Sequence, residues 1–243
     1  MIFSFYQDMP GSARTSAKCF LLSAAFAFMA PGANAQSFPT GNPFEPEIEA
    51  LQAKLIDPPP RPIVFYGSSS IRLWSTLSQD IPDYTVLNCG FGGSRLTDCL
   101  YFAPRVIGPL KPSAVVIYAG DNDLATGAAP EQVFDSFRQL FFALRMSSPD
   151  MPIAFVSVKP CPARFRYIHN IERFNQLVDA FLGTQSNTDY IDIFSDLLGP
   201  DHQPIVSLFR SDQIHLSQAG YQILRRDISE YLHDEFPKRL SVK

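Results

Sequence analysis

Five apolar runs of strand length, separated by stretches of helical periodicity, constrain this chain more than any other feature of it. They are Ile63–Tyr66, Thr85–Asn88, Ala114–Ala119, Ile153–Val158 and Tyr190–Phe194. Near-continuous apolarity over so few residues marks strands buried on both faces. Between the third and fourth runs, residues 131–144 place apolar side chains at i, i+3, i+4 and i+7, which predicts an amphipathic helix. A last helix is expected from Ser217, an N-cap residue type, with Tyr221, Leu224 and Ile228 turned inward. Strands alternating with helices imply parallel crossovers, so the expected class is α/β: a three-layer α/β/α sandwich around a five-stranded parallel sheet.

In such a sheet, functional residues collect beyond the C-terminal strand ends. Three polar motifs fall there. Gly67-Ser68-Ser69-Ser70 follows the first run, Asn88-Cys89-Gly90-Phe91-Gly92-Gly93-Ser94 closes the second, and Gly120-Asp121-Asn122-Asp123 follows the third. A serine at a strand-to-helix turn is exposed beside free backbone N–H groups, but its hydroxyl needs an imidazole to take its proton and a carboxylate to orient that ring. Asp212-Gln213-Ile214-His215 offers both, at a spacing that puts them on one side of a turn. Taken singly, each motif has a plain alternative: the serines as a helix cap, the glycines as a tight turn, Asn122 as a turn residue. His169, His202 and His233 lack a comparable carboxylate setting and are expected at the surface or in packing.

With the four blocks in this order, the chain resembles the SGNH/GDSL hydrolase superfamily over about residues 62–232. The resemblance implies a flavodoxin-like sheet, Ser69 as nucleophile, and Asp212 and His215 as the rest of a triad. It also implies an oxyanion hole formed by the Ser69 N–H with Gly93 and Asn122. The first block departs from the family's common Gly-Asp-Ser, because Ser68 stands at the middle position and removes a carboxylate beside the nucleophile.

Ahead of the first run, Arg14 and Lys18 precede the apolar stretch Cys19–Ala30 and the small-residue site Ala33-Asn34-Ala35. This layout is that of a secretory signal peptide, cleaved after Ala35. The stretch is too short to span a bilayer, which takes about 20 residues. Three regions are therefore expected: a signal peptide over 1–35, an N-terminal extension with a short helix from Pro46 to Ile56 over 36–61, and a catalytic domain over 62–243. The protein is expected to be secreted or periplasmic, with no membrane span in its mature form. A net charge of −4 carries no electrostatic footprint for nucleic acid. Beyond the leader, Cys89, Cys99 and Cys161 match no zinc spacing, and free buried thiols are the expectation.

These features point to a serine ester hydrolase that needs no metal or cofactor and acts on a small-molecule or glycan ester through an acyl-enzyme. Short-chain carboxylic esters are the first expectation, with carbohydrate acetyl ester or lysophospholipid cleavage as alternatives. Trp74, Ile71 and Leu73 are expected to pack the first helix, the loop Lys159–Arg166 to shape the substrate site or simply form a rigid surface, and Leu208 and Phe209 to contact an acyl chain. The competitor from another class is a non-catalytic glycan- or phosphate-binding module, since a serine-rich turn at a helix N-terminus also suits an anion. It leaves Asn122 and the Asp212–His215 pair without a role, and no GxxxxGK[ST] or GxGxxG pattern is present.

Overall fold

The apolar run that starts at Ile63 becomes a strand, Ile63–Gly67 (β1), with every residue buried. Its alternate side chains enter two separate cores: Val64 and Tyr66 on one face of the sheet, Ile63 and Phe65 on the other. This double burial is why the run lacks the polar alternation of a half-exposed strand. The computed structural model describes residues 41–237. The expected signal peptide over 1–35 and its cleavage site lie outside the described residues.

In chain order, a helix at Glu45–Lys54 (α1) precedes β1, and short helices at Ser69–Arg72 (α2) and Leu77–Asp80 (α3) follow it. Then come Val86–Gly90 (β2), Leu96–Val106 (α4), Ala114–Tyr118 (β3), Asp121–Ala125 (α5) and Pro130–Ser147 (α6). Ile153–Val156 (β4), Ile168–Leu182 (α7), Thr188–Ile191 (β5) and Gln218–Glu235 (α8) follow among the described residues. All strands pair in parallel in the order β2-β1-β3-β4-β5. Helices α1, α4, α6 and α7 pack against one face, and α2, α3 and α8 against the other. This is the expected three-layer α/β/α sandwich, with the strand order reversing between β1 and β3.

The helices form where the periodicity placed them. Val133, Phe137, Leu140, Phe141 and Leu144 form the buried stripe of α6, and Pro130 stands in its first turn, where a missing N–H costs nothing. Ser217 caps α8 by accepting the Gly220 N–H, and Tyr221, Leu224 and Ile228 point into the core. Trp74 and Ile71 are buried in the same core, with Leu73 packed against it. The fifth strand sits earlier than its apolar run suggests. Asp192 takes the Phe194 N–H at 2.8 Å and ends the extended backbone before Ile193, while the polar Thr188 and Asp189 are tolerated because β5 is a sheet edge.

Residues ahead of β1 join this fold. Ile48 of α1 is fully buried among α4 side chains, and Arg105 of α4 holds Glu45 at 2.8 Å. Cys89, Cys99 and Cys161 are free and buried. Among the described residues no helix is long and apolar enough to cross a membrane.

Candidate active site

Register decides where the motifs meet. Gly67 of β1 pairs with Gly90 of β2 and Tyr118 of β3, so three strands end in one row and release their polar blocks along one edge. Gly67 cannot be replaced there: its φ is +136°, and a Cβ would lie 1.9 Å from the Tyr118 carbonyl oxygen. The Ser68 N–H donates to that same carbonyl at 2.9 Å, and the chain turns directly into α2. Ser68 is fully buried, and its hydroxyl has no partner among the described residues, so it does not serve as a side-chain cap. Ser69, the first residue of α2, is 7% exposed.

The Asp212–His215 turn reaches Ser69 across 146 positions of sequence: His215 Nε2 lies 3.1 Å from Ser69 Oγ. On the far side of the ring, Nδ1 lies 2.7 Å from Asp212 Oδ2. Asp212 Oδ1 accepts the N–H groups of Ile214 and His215, both at 2.9 Å. Hydrogen bonds from the His215 ring, then from the backbone, hold the Asp212 carboxyl well below the usual carboxylate range, so it is ionised and only accepts. That assigns the ring proton to Nδ1 and leaves the Nε2 lone pair facing the hydroxyl. Gln213 at φ +56° makes the turn tight enough for the carboxylate to fold back onto the ring. Such a chain of hydrogen bonds suits proton transfer from a hydroxyl to an imidazole.

The second and third blocks converge beside it. Gly93 has a φ of +76°, a conformation L side chains rarely adopt. Among the described residues no hydrogen bond engages the Gly93 or Ser69 N–H. Asn122 Nδ2 donates to the Ser94 carbonyl at 3.0 Å, tying the block after β3 to the block after β2. Asp123 accepts the Leu96 N–H, and burial pushes its carboxyl up to about 6 against that hydrogen bond.

Three further side chains support this edge: Lys159 and Arg164, from the loop expected to shape the site or form a rigid surface, and Glu47, which no motif singled out. Lys159, fully buried after β4, reaches Asp121 at 2.9 Å, the Tyr118 hydroxyl at 2.9 Å and Ser70 Oγ at 3.1 Å. Burial alone would lower its ammonium; Asp121 and Tyr118 outweigh that and raise it. Arg164, from the 3-10 turn at Pro162–Tyr167, donates to the Asn122 Oδ1 and the Asp121 carbonyl, each at 3.0 Å. Glu47 of α1 accepts the Gly92 N–H at 3.1 Å. A lysine directly after a strand-length apolar run was the one available sign of burial; nothing local marks Glu47. The acyl-chain role expected of Phe209 does not fit its place: it is 6% exposed and bridges to Leu216 inside the core, where it shapes the loop that carries His215. His169, His202 and His233 lie at the surface.

Comparison with known proteins agrees with this architecture. A GDSL-like lipase from Bacteroides thetaiotaomicron superposes with a TM-score of 0.68 at 18% identity, over 77% of this chain and 97% of that one. The lipase/acylhydrolase from Enterococcus faecalis gives 0.58 at 18%, over 72% and 96%, and TesA 0.58 at 20%, over 71% and 98%. At such identities the likeness establishes the fold. No curated protein sequence matches. The sequence profile of the GDSL-like Lipase/Acylhydrolase family matches residues 64–223. That stretch runs from β1 into α8 and carries every block gathered at the sheet edge, and by it the chain belongs to the GDSL-like lipase/acylhydrolase family, as a carboxylic ester hydrolase.

Proposed function

We propose that the protein is an exported serine hydrolase that cleaves short-chain carboxylic esters through an acyl-enzyme, with Ser69 as nucleophile, His215 as general base and acid, and Asp212 orienting the ring. The observation that carries this reading is the unbroken relay from Ser69 Oγ to His215 Nε2 at 3.1 Å and from Nδ1 to Asp212 at 2.7 Å. Ser69 Oγ attacks the ester carbonyl carbon while its proton passes to Nε2. The carbonyl oxygen takes up the negative charge and is met by the Ser69 and Gly93 N–H groups and the Asn122 amide. The C–O bond to the alcohol then breaks, and the leaving oxygen takes the proton from Nε2. Water attacks the acyl-Ser69 ester, again giving a proton to His215, and its collapse returns that proton to Ser69 and releases the carboxylic acid.

Apart from the attacking water, every group named in these steps belongs to this chain, and added chelator is expected to leave the rate unchanged. A fluorophosphonate probe followed by peptide mapping tests the reading. Covalent label is expected on the peptide containing Ser69 and absent after Ser69→Ala. Label elsewhere would identify another nucleophile, and no label at all in folded protein would favour a non-catalytic binding module.

A further inference from the structure

Asn122 has two faces, and this structure holds one of them on a cation. A guanidinium carries only donors, so the contact of Arg164 Nη2 at 3.0 Å assigns the facing Asn122 atom as Oδ1. The amide nitrogen is then turned to the Ser94 carbonyl at 3.0 Å, with one hydrogen bound there and a second left to give. Arg164 Nη1 fixes the adjoining backbone through the Asp121 carbonyl at 3.0 Å, so one planar group grips both the side chain and the peptide that bears it.

The ordinary alternative is that Arg164 is only the counter-ion of Asp121, whose Oδ2 lies 3.3 Å away. Asp121 already has a closer partner, the fully buried Lys159 at 2.9 Å. Two cations therefore face one carboxylate, and the charge of Arg164 is not used up in neutralising it. The side chain of Arg164 is 19% exposed, so it acts from a partly desolvated position where charge-assisted hydrogen bonds are strong. Its turn is also tied to the loop that brings His215, through the Ala163 N–H on the Gln213 carbonyl at 3.1 Å.

We propose that Arg164 is a positioning residue for the oxyanion hole: it fixes the Asn122 amide with its nitrogen toward the reacting carbonyl and polarises it as a donor. This rests on the role given above to Asn122. A hydrogen bond on Oδ1 pulls electron density from the amide nitrogen and strengthens its N–H groups. The benefit appears as negative charge develops, so it belongs to kcat rather than to substrate binding.

The test is a double-mutant cycle on p-nitrophenyl acetate. Arg164→Met is expected to lower kcat roughly 10- to 100-fold, less than the loss of the donor itself, with KM within about two-fold. In the Asn122→Ala background the same change should cost less than about two-fold, because no amide remains to be held. Arg164→Lys keeps a charge near Asp121 but cannot bridge both oxygens, so it should recover less than half of the loss on a logarithmic scale; should Arg164→Met fail to fold, this variant carries the test in both backgrounds. Losses that multiply fully in the double mutant, full rescue by lysine, or wild-type kcat in Arg164→Met would each overturn the inference. A silent Asn122→Ala would overturn the role of Asn122 in the proposed function and this inference with it, whereas an impaired Asn122→Ala beside a silent Arg164→Met removes this inference alone.

Discussion

Ser69 is almost enclosed, yet its hydroxyl faces the His215 ring at 3.1 Å, and the proposed roles give unequal costs to the groups around it. Ser69→Ala should abolish ester hydrolysis with an unchanged circular dichroism spectrum. Asn122→Ala removes one preorganised donor and should lower kcat by roughly 10²–10³ with little change in KM for a short ester. His215→Ala and Asp212→Asn should each cost on the order of 10⁴ or more, and the double variant should be hardly worse than His215→Ala, since groups acting as one unit do not add. Multiplying losses would show that Asp212 does not work through His215. Asp123 offers a separate test of burial. Its carboxyl titrates at about 6 in the folded protein, against about 3.9 in an unfolded chain. The folded state therefore holds the extra proton between those values, so this group's contribution to stability is full below about pH 4 and is lost as pH rises through 6. Urea unfolding across pH 4 to 7 should show that decline, and Asp123→Asn should flatten it.

At the level of elements, strand ends and their register determine what reaches the site. Gly67 lets β1 turn into α2 against the Tyr118 carbonyl, and Gly67→Ala must displace either the turn or β3, because its Cβ would stand 1.9 Å from that oxygen. Soluble Gly67→Ala is expected to lose at least the roughly 1–3 kcal/mol of a strained backbone position, and activity with it. Helix α1 belongs to the same structural unit as the site. It buries Ile48 completely and sends Glu47 to the Gly92 N–H, next to Gly93. Ile48→Ala should destabilise by roughly 2–5 kcal/mol, read from the urea midpoint. If that variant unfolded at the wild-type midpoint, α1 would be an appendage and Glu47 could not steady the glycine block.

For the molecule as a whole, two faces of helices enclose a sheet whose reversal point lies between β1 and β3, the strands that release Ser69 and Asn122. The thiols of Cys89, Cys99 and Cys161 are buried, and burial raises each of them, so none is a ready nucleophile. Iodoacetamide should leave these three unmodified in native protein and alkylate them in urea, and a reductant should not shift the Tm. Export, as proposed, predicts that the mature protein begins near Gln36. Intact mass that still includes Cys19 would refute cleavage at Ala33-Asn34-Ala35.

Local sequence carried the class of fold, because strand-length apolar runs and the helical period of residues 131–144 are signals set by which faces must leave water. It also marked Ser69, Gly93 and Asn122 as edge residues, since each follows a run, and joined Asp212 to His215, since three positions of one turn bring them together. It overextended the fifth strand, where the Asp192 side chain ends extended backbone that the apolar run alone would have continued. The family resemblance implied that Ser69 meets a ring 146 positions away, and the fold supplied the 3.1 Å geometry of that meeting, the observed strand order and the support from Lys159, Arg164 and Glu47. Those contacts are a few polar contacts between segments distant in the chain. They leave no period or composition to read, because their partners become neighbours only once the sheet has set its register.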